Sequence, residues 1–111
     1  MPANNLAYML ADTQQSLDFA ARLALGELPD HPDVNDTMGW VYYQRGQAGR
    51  AIPFFQRVLD LAPENAIVDY HLGLSQTREG LVSEARISLD RALELAPSYE
   101  AARMARAELG G

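Results

Sequence analysis

Residues 36–63 read DTMGWVYYQRGQAGRAIPFFQRVLDLAP. The spacing of apolar residues in this segment predicts two short amphipathic helices joined by a tight turn. The next segment repeats the outline, and each recurring residue lies 34 positions further on: Gly39, Gly46, Ala51, Leu59, Leu61, Ala62 and Pro63 return as Gly73, Gly80, Ala85, Leu93, Leu95, Ala96 and Pro97. A fixed period of this length indicates a stacked array of helical pairs, because one pair cannot bury its apolar face alone.

The 111 residues are enough for one domain with a modest core. We divide them into an irregular first unit at 4–31, a second unit at 32–65, a third unit at 66–99 and a capping helix at 100–111. The helices after the first unit are predicted at about 33–45, 48–61, 67–79, 83–95 and 98–109. The two aligned units share nine of 34 residues, and these fall at turns and helix contacts.

The helical phase also predicts which side chains face inward. In the second unit these are Met38, Gly39, Tyr42, Ala51, Phe55, Val58 and Leu59, with Val41 as a further candidate. In the third unit they are Leu72, Gly73, Gln76, Ala85, Leu89, Ala92 and Leu93. Gly46 and Gly80 are expected in the turns, and Ser83 is expected to cap its helix. Pro53 is placed near the first turn of its helix, where a missing N–H donor costs little.

The order of small residue, aromatic, turn glycine, alanine, aromatic and proline resembles the tetratricopeptide repeat (TPR). This resemblance implies an all-α fold with about three helix–turn–helix repeats and a C-terminal capping helix, stacked in a right-handed superhelix. It also implies a generic role in binding other polypeptides. The wording NNLAYML, DTMGWVYYQRG and YHLG is similar to bacterial tandem-TPR proteins of the cell envelope, which points to a bacterial source.

In TPR proteins the first helix of each repeat lines a concave groove, so the resemblance implies a set of partner-binding residues. These are Tyr8 in the first unit, Asp36, Trp40, Tyr43 and Gln44 in the second, and Tyr70, Leu74 and Arg78 in the third. The four in the second unit are spaced i, i+4, i+7 and i+8 and share one helix face. Aromatic anchors bordered by polar groups are typical of recognition surfaces. Alternatively, Trp40 and Tyr43 pack against a neighbouring unit and stabilise the stack.

The sequence argues against catalysis, cofactors and metals. It has no cysteine, no GxSxG elbow, no phosphate loop and no HExxH motif. Its carboxylates, among them Asp60, Glu64, Asp69, Glu79 and Glu84, are predicted on exposed helix faces. His31 and His71 lie 40 residues apart, too far in sequence for a helical metal pair, and we interpret both as solvated or partly packed. The net charge of −6 would repel nucleic acid.

The expected partner is therefore a protein or a peptide. The chain contains no lysine, and Asp36 and Trp40 occupy positions where some TPR domains clamp a carboxylate tail, so we exclude that mode. Two alternatives are self-assembly through the apolar edge of the first unit and a docking role within a larger enzyme or envelope-assembly protein. With no long apolar run and no signal peptide, we expect a soluble cytoplasmic or periplasmic chain without membrane insertion.

Overall fold

A computed structural model describes residues 32–110. This part of the chain is all-α, as predicted, and contains five helices: α1 Pro32–Gln44, α2 Ala48–Leu61, α3 Ala66–Arg78, α4 Val82–Leu95 and α5 Glu100–Glu108. Helices α1 and α2 pack as one pair and α3 and α4 as a second pair, α2 packs on α3, and α5 covers α4. The predicted first unit, including Tyr8, lies outside the described residues.

The turn within each pair is built the same way. Gly46 and Gly80 both have a φ of +77°, a backbone conformation that suits glycine. One residue further on, the Gln47 N–H donates to the Tyr42 carbonyl, and the Leu81 N–H donates to the Gln76 carbonyl, each at 2.9 Å. These bonds satisfy carbonyls that would otherwise be unpaired at the helix end. The 34-residue period is therefore a structural period.

The helix boundaries follow the prediction within two residues, but two local details differ. Ser83 is not a cap: it lies inside α4, whose N-cap is Leu81. Pro53, predicted near the first turn of α2, is its sixth residue and lies in the second turn. A side-chain cap is found instead on α3, where Asn65 accepts a hydrogen bond from the Val68 N–H at 3.1 Å.

Close approach between the helices of a pair depends on one glycine in each. A Cβ built on Gly39 would lie 2.6 Å from the Phe55 ring, and one on Gly73 would lie 2.7 Å from the Leu89 side chain. Both distances are too short for real contacts, so each position admits only glycine without a shift of its neighbour. Phe55 and Leu89 are themselves fully buried, which confirms the predicted packing.

The main core belongs to the second repeat and to the start of α3. Its buried members are Met38, Val41, Tyr42, Ala51, Phe54, Phe55, Val58, Val68 and Leu72. Trp40 and Tyr43 are partly buried and pack against this cluster. In the third repeat the buried apolar residues are smaller on average: Ala85, Leu89, Ala92 and Ala102 accompany Leu72. Helix α5 supplies Ala102, as expected of a capping helix.

One carboxylate contradicts its prediction. Asp69 was expected on an exposed face, yet it is 1% exposed in the first turns of α3. It follows the inward phase of α3, since Leu72 and Gln76 lie three and seven residues later on the same face. Burial raises the pKa of Asp69 to about 6, and the nearby Arg91 opposes this rise. The aligned residue of α1, Asn35, is buried as well.

Among the described residues, none of the helices combines the length and apolar character that a membrane span requires.

Candidate functional site

Aromatic rings from both repeats meet along one side of α1 and α3. The Trp40 indole stacks on the Tyr43 ring one turn later in α1, with centroids 5.0 Å apart and planes at 13°. It also stacks on the His71 imidazole of α3, at 4.2 Å and 25°. Trp40 thus links the two repeats through ring contacts.

The array continues beyond His71. The Tyr70 ring lies 5.8 Å from that imidazole and 5.1 Å from the ring of Tyr99, which precedes α5. At the opposite end, the Arg78 guanidinium lies 4.4 Å from the centre of the Tyr43 ring, within range of a cation–π interaction. We call this surface the aromatic face and define it by Trp40, Tyr43, Tyr70, His71 and Tyr99.

Charged groups flank the aromatic face at separate levels of the helices. The Asp36 Oδ1 atom lies 3.7 Å from the His71 Nδ1 atom, and the two side chains are 39% and 16% exposed. Arg78 is the last residue of α3, about two helical turns beyond His71 along the axis of that helix. The face therefore carries a carboxylate toward one end and a guanidinium toward the other.

The hydroxyls of Tyr70 and Tyr99 remain protonated at neutral pH. Burial raises the pKa of Tyr70 above its usual value of 10, and the neighbouring Tyr43 and Glu108 raise it further. Burial also raises the pKa of Tyr99, with Tyr70 as a second cause. Both phenols can therefore donate and accept hydrogen bonds at the edge of the aromatic face.

Five of the eight predicted partner-binding residues come together here: Asp36, Trp40, Tyr43, Tyr70 and Arg78. Leu74 is half-buried, and Gln44 is exposed at the end of α1; Tyr8 lies outside the described residues. Trp40 stacks on His71 of the next repeat while staying half-buried, which is the contact that the alternative interpretation predicts. The same rings thus contribute to the stack and to an accessible surface.

Sequence reasoning missed two members of the aromatic face. His71 was interpreted as solvated or partly packed; it is partly packed, but as the central ring of the array, where it also lies 5.6 Å from Phe55. Tyr99 was overlooked because it lies in the turn between α4 and α5. The 34-residue register offered a signal, since Tyr99 aligns with Asn65 at the entrance to the next helix.

In residues 32–110 no three His, Cys, Asp or Glu side chains lie close enough together to hold a metal ion.

Comparison with known proteins identifies one family. The tetratricopeptide repeat profile matches residues 37–100. A TPR repeat-containing protein of Pseudomonas aeruginosa, PA4667, is 33% identical over 76 residues, which cover 66% of this chain but 13% of that protein. The chain therefore spans only a small part of the length of this curated relative.

Solved structures with the same fold include three structures of two TPR proteins. A point variant of MamA is 27% identical with a TM-score of 0.76, covering 87% of this chain and 56% of its own. A second MamA structure, MSR-1 C2, is 26% identical with a TM-score of 0.76, covering 86% and 54%. The first TPR of Spaghetti (RPAP3), bound to the HSP90 peptide SRMEEVD, has a TM-score of 0.79, covering 96% and 83%. At 15% identity, this last likeness concerns the fold alone.

Proposed function

The chain belongs to the tetratricopeptide repeat family, and we propose that it is a non-catalytic module that binds a peptide or helix of a partner protein across its aromatic face. Repeats of this family form helical scaffolds for protein–protein interaction. The observation that carries the proposal is the continuous ring array from Tyr43 to Tyr99, partly exposed on one side of α1 and α3.

Preorganisation supports this role. Trp40 is fixed by stacking on Tyr43 and His71, so its ring loses little rotational freedom when a partner arrives. Binding surfaces that are ordered in advance avoid part of the entropy cost of association. Apolar partner side chains would pack against the open edges of Trp40 and Tyr70 and against Leu74, which is half-buried beside them.

The flanking charges would orient the partner. Asp36 near one end favours a cationic or hydrogen-bond-donating group there, and Arg78 near the other end favours an anionic one. Gln44 at the end of α1 adds an exposed amide. RPAP3 holds the HSP90 peptide SRMEEVD on this fold. Here, with Asp36 beside Trp40 and His71 at the aromatic face and no lysine in the chain, we propose a partner other than such an acidic tail.

The test is capture of prey from source-cell lysate by wild type and by variants of the aromatic face. Trp40→Ala with Tyr43→Ala removes two rings at once, but it also removes packing against the core. Tyr70→Ala is therefore added as a milder variant. Leu61→Ala is the matched control, since Leu61 is 39% exposed at the end of α2, the second helix of its pair.

We expect wild type and Leu61→Ala to retain the same prey and both aromatic-face variants to lose it. Circular dichroism must first show that all four proteins are folded. Equal recovery of prey by all four would contradict the proposal. Light scattering over a range of concentrations addresses the alternative of self-assembly: a mass that rises with concentration and persists in the variants would favour the first unit as the contact surface.

A further inference from the structure

One of the differences between the two repeats is a pair of buried positions that face away from the aromatic face. In the second repeat, the rings of Tyr42 and Phe54 stack with centroids 5.6 Å apart, and each residue is 3% exposed. The residues 34 positions later are Gln76 and Ser88. They are also buried, and the Ser88 hydroxyl donates a hydrogen bond to the Gln76 side-chain carbonyl at 2.7 Å. A short polar pair thus occupies the place of two rings.

A cleft of about 370 Å³ opens at this point between α2 and α4. Its floor is formed by the buried residues Leu72, Gln76 and Ser88. Its walls combine the apolar Leu59 and the 55% exposed Ile87 with polar and charged side chains, which are Gln56, Asp60, Glu84 and Arg91. A cavity of ~150 Å³ is enough to hold a benzene ring. The cleft therefore has room for one substituted aromatic ring, with Leu59 and Ile87 as its apolar contacts.

The floor also defines which ring suits the cleft. The Ser88 hydroxyl hydrogen is engaged by Gln76, so the Ser88 oxygen is left as an acceptor, while the Gln76 amide supplies N–H donors. A phenol can use both, donating to Ser88 and accepting from Gln76. A plain benzene ring would cover this polar pair without replacing its contacts with water, which is unfavourable.

We propose that this cleft, here named the α2–α4 cleft, is a second binding site that receives a tyrosine side chain of a partner polypeptide. In the preceding repeat the aligned positions hold the stacked rings of Tyr42 and Phe54, so the same helix geometry has space of aromatic size where the third repeat has the shorter Gln76 and Ser88. The site lies on the opposite side of α3 from Tyr70, since Leu72 and Gln76 are about half a helical turn out of phase with Tyr70 and Leu74. It is therefore independent of the aromatic face.

The experiment titrates N-acetyl-tyrosinamide into isotope-labelled protein and follows the backbone and side-chain amide signals by NMR. N-acetyl-phenylalaninamide, which lacks only the hydroxyl, is the matched probe. We expect the tyrosine probe to shift the signals of Gln76 and Ser88 and to bind at least about five-fold more tightly than the phenylalanine probe, because one of its two hydrogen bonds alone supplies that ratio.

Three variants distinguish binding in the α2–α4 cleft from non-specific binding of the probes. Gln76→Tyr with Ser88→Phe rebuilds the ring pair of the second repeat, fills the cleft and should abolish binding of both probes. Gln76→Leu keeps the volume but removes the amide, and should abolish the preference for tyrosine. Tyr70→Ala alters only the aromatic face and should bind the tyrosine probe as wild type does.

The proposal is overturned if the tyrosine probe leaves Gln76 and Ser88 unshifted, or if the two probes bind wild type equally. It is equally overturned if Gln76→Leu retains the preference. Should the filled variant not fold, Gln76→Leu still decides the question. A negative result with these probes does not contradict binding at the aromatic face. Equal recovery of prey by the aromatic-face variants would in turn contradict that proposal and not this one.

Discussion

The second and third repeats share a backbone plan but fill it differently. In the second repeat α1 and α2 enclose large apolar side chains, among them Met38, Phe54 and Phe55. The third repeat places Asp69, Ser75, Gln76 and Ser88 at buried positions. The two repeats share only nine of 34 residues. Among these are the close-approach glycine, the turn glycine, an alanine in the second helix and the closing proline. These residues set the helix geometry, and the remaining interior is free to be apolar or polar.

This difference has an energetic consequence. Buried rings contribute through area removed from water and through close packing. Buried polar groups contribute only when their hydrogen bonds are made, and an unpaired one costs free energy. The Ser88–Gln76 bond meets that condition, whereas within the described residues the Asp69 Oδ2 atom is buried with no hydrogen-bond partner. We therefore expect the third repeat to contribute less stability than the second.

The largest predicted loss of stability comes from replacing Tyr42 and Phe54 of the second repeat with the residues at the aligned positions of the third repeat. Tyr42→Gln with Phe54→Ser removes two stacked rings from the main core. Truncating one buried phenylalanine typically costs about 3–5 kcal/mol, so we expect the double variant to lose at least about 4 kcal/mol. Urea unfolding followed by circular dichroism measures this loss.

The reciprocal change, Gln76→Tyr with Ser88→Phe, serves as the comparison. It fills the α2–α4 cleft instead of emptying a core, so we expect unchanged or increased stability. If both double variants lost the same free energy, the two repeats would be equivalent in packing, and the third repeat would contribute as much stability as the second.

The second effect concerns the close-approach glycines. In Gly39→Ala the new methyl group meets the buried Phe55 ring, and overpacking of this kind costs about 1–3 kcal/mol. Gly73→Ala meets the side chain of Leu89, which is also fully buried, so we expect a loss of similar size. Gly49→Ala is the control: it is exposed in α2 and meets only the flexible end of Glu79.

For this control the helix propensity of alanine should raise stability by up to about 1 kcal/mol. Thermal unfolding of the three variants therefore tests sign as well as size. A stabilising Gly39→Ala would show that Phe55 moves freely, contrary to a closely packed second repeat.

How far the sequence predicts this molecule depends on the kind of interaction. Gly39, Gly46 and Pro63 are constrained by sterics that act locally, so their spacing alone identified the repeat, its turns and its helices. The partners of Trp40 could not be read in this way, because helical phase places it on the surface of α1 without fixing its rotamer. Its stacking on His71 depends on how the two pairs are positioned.

The burial of Asp69 and the cleft beside Gln76 and Ser88 were not predicted, each for a physical reason. Asp69 was assigned to the surface because carboxylates are rarely buried. Its spacing from Leu72 and Gln76 would have placed it inside, so periodicity was the better guide. The cleft could not be foreseen from Gln76 or Ser88 alone. It emerges only when each is aligned with its partner in the second repeat and the lost ring volume is considered.

The third effect is the pH dependence caused by Asp69. Because its folded-state pKa of about 6 exceeds the usual 3.8, the folded protein binds an extra proton between these values, and this residue makes the protein more stable as pH falls from 7 toward 4. Asp69→Asn, which copies Asn35 of the second repeat, should be more stable than wild type by about 1–2 kcal/mol at pH 7.5. The difference should shrink toward zero near pH 4.

Urea unfolding of both proteins between pH 4 and 8 measures this difference. Asp60→Asn, at an exposed carboxylate of α2, should stay within about 0.5 kcal/mol of wild type throughout. A constant difference between Asp69→Asn and wild type across the range would mean that Asp69 is not the titrating group.

The smallest effect tests a contact between the two repeats that involves the charge of Arg78. Arg78 aligns with Gln44 of the second repeat, and its guanidinium covers the Tyr43 ring. Arg78→Gln should lose about 0.5 kcal/mol, the usual size of an exposed cation–π interaction. A double-mutant cycle with Tyr43→Leu isolates this coupling from other losses. Because the cycle subtracts each single variant, a coupling near zero would mean that Arg78 is available to a partner rather than committed to Tyr43, and the anionic end of that partner would then bind more strongly at this level of the aromatic face.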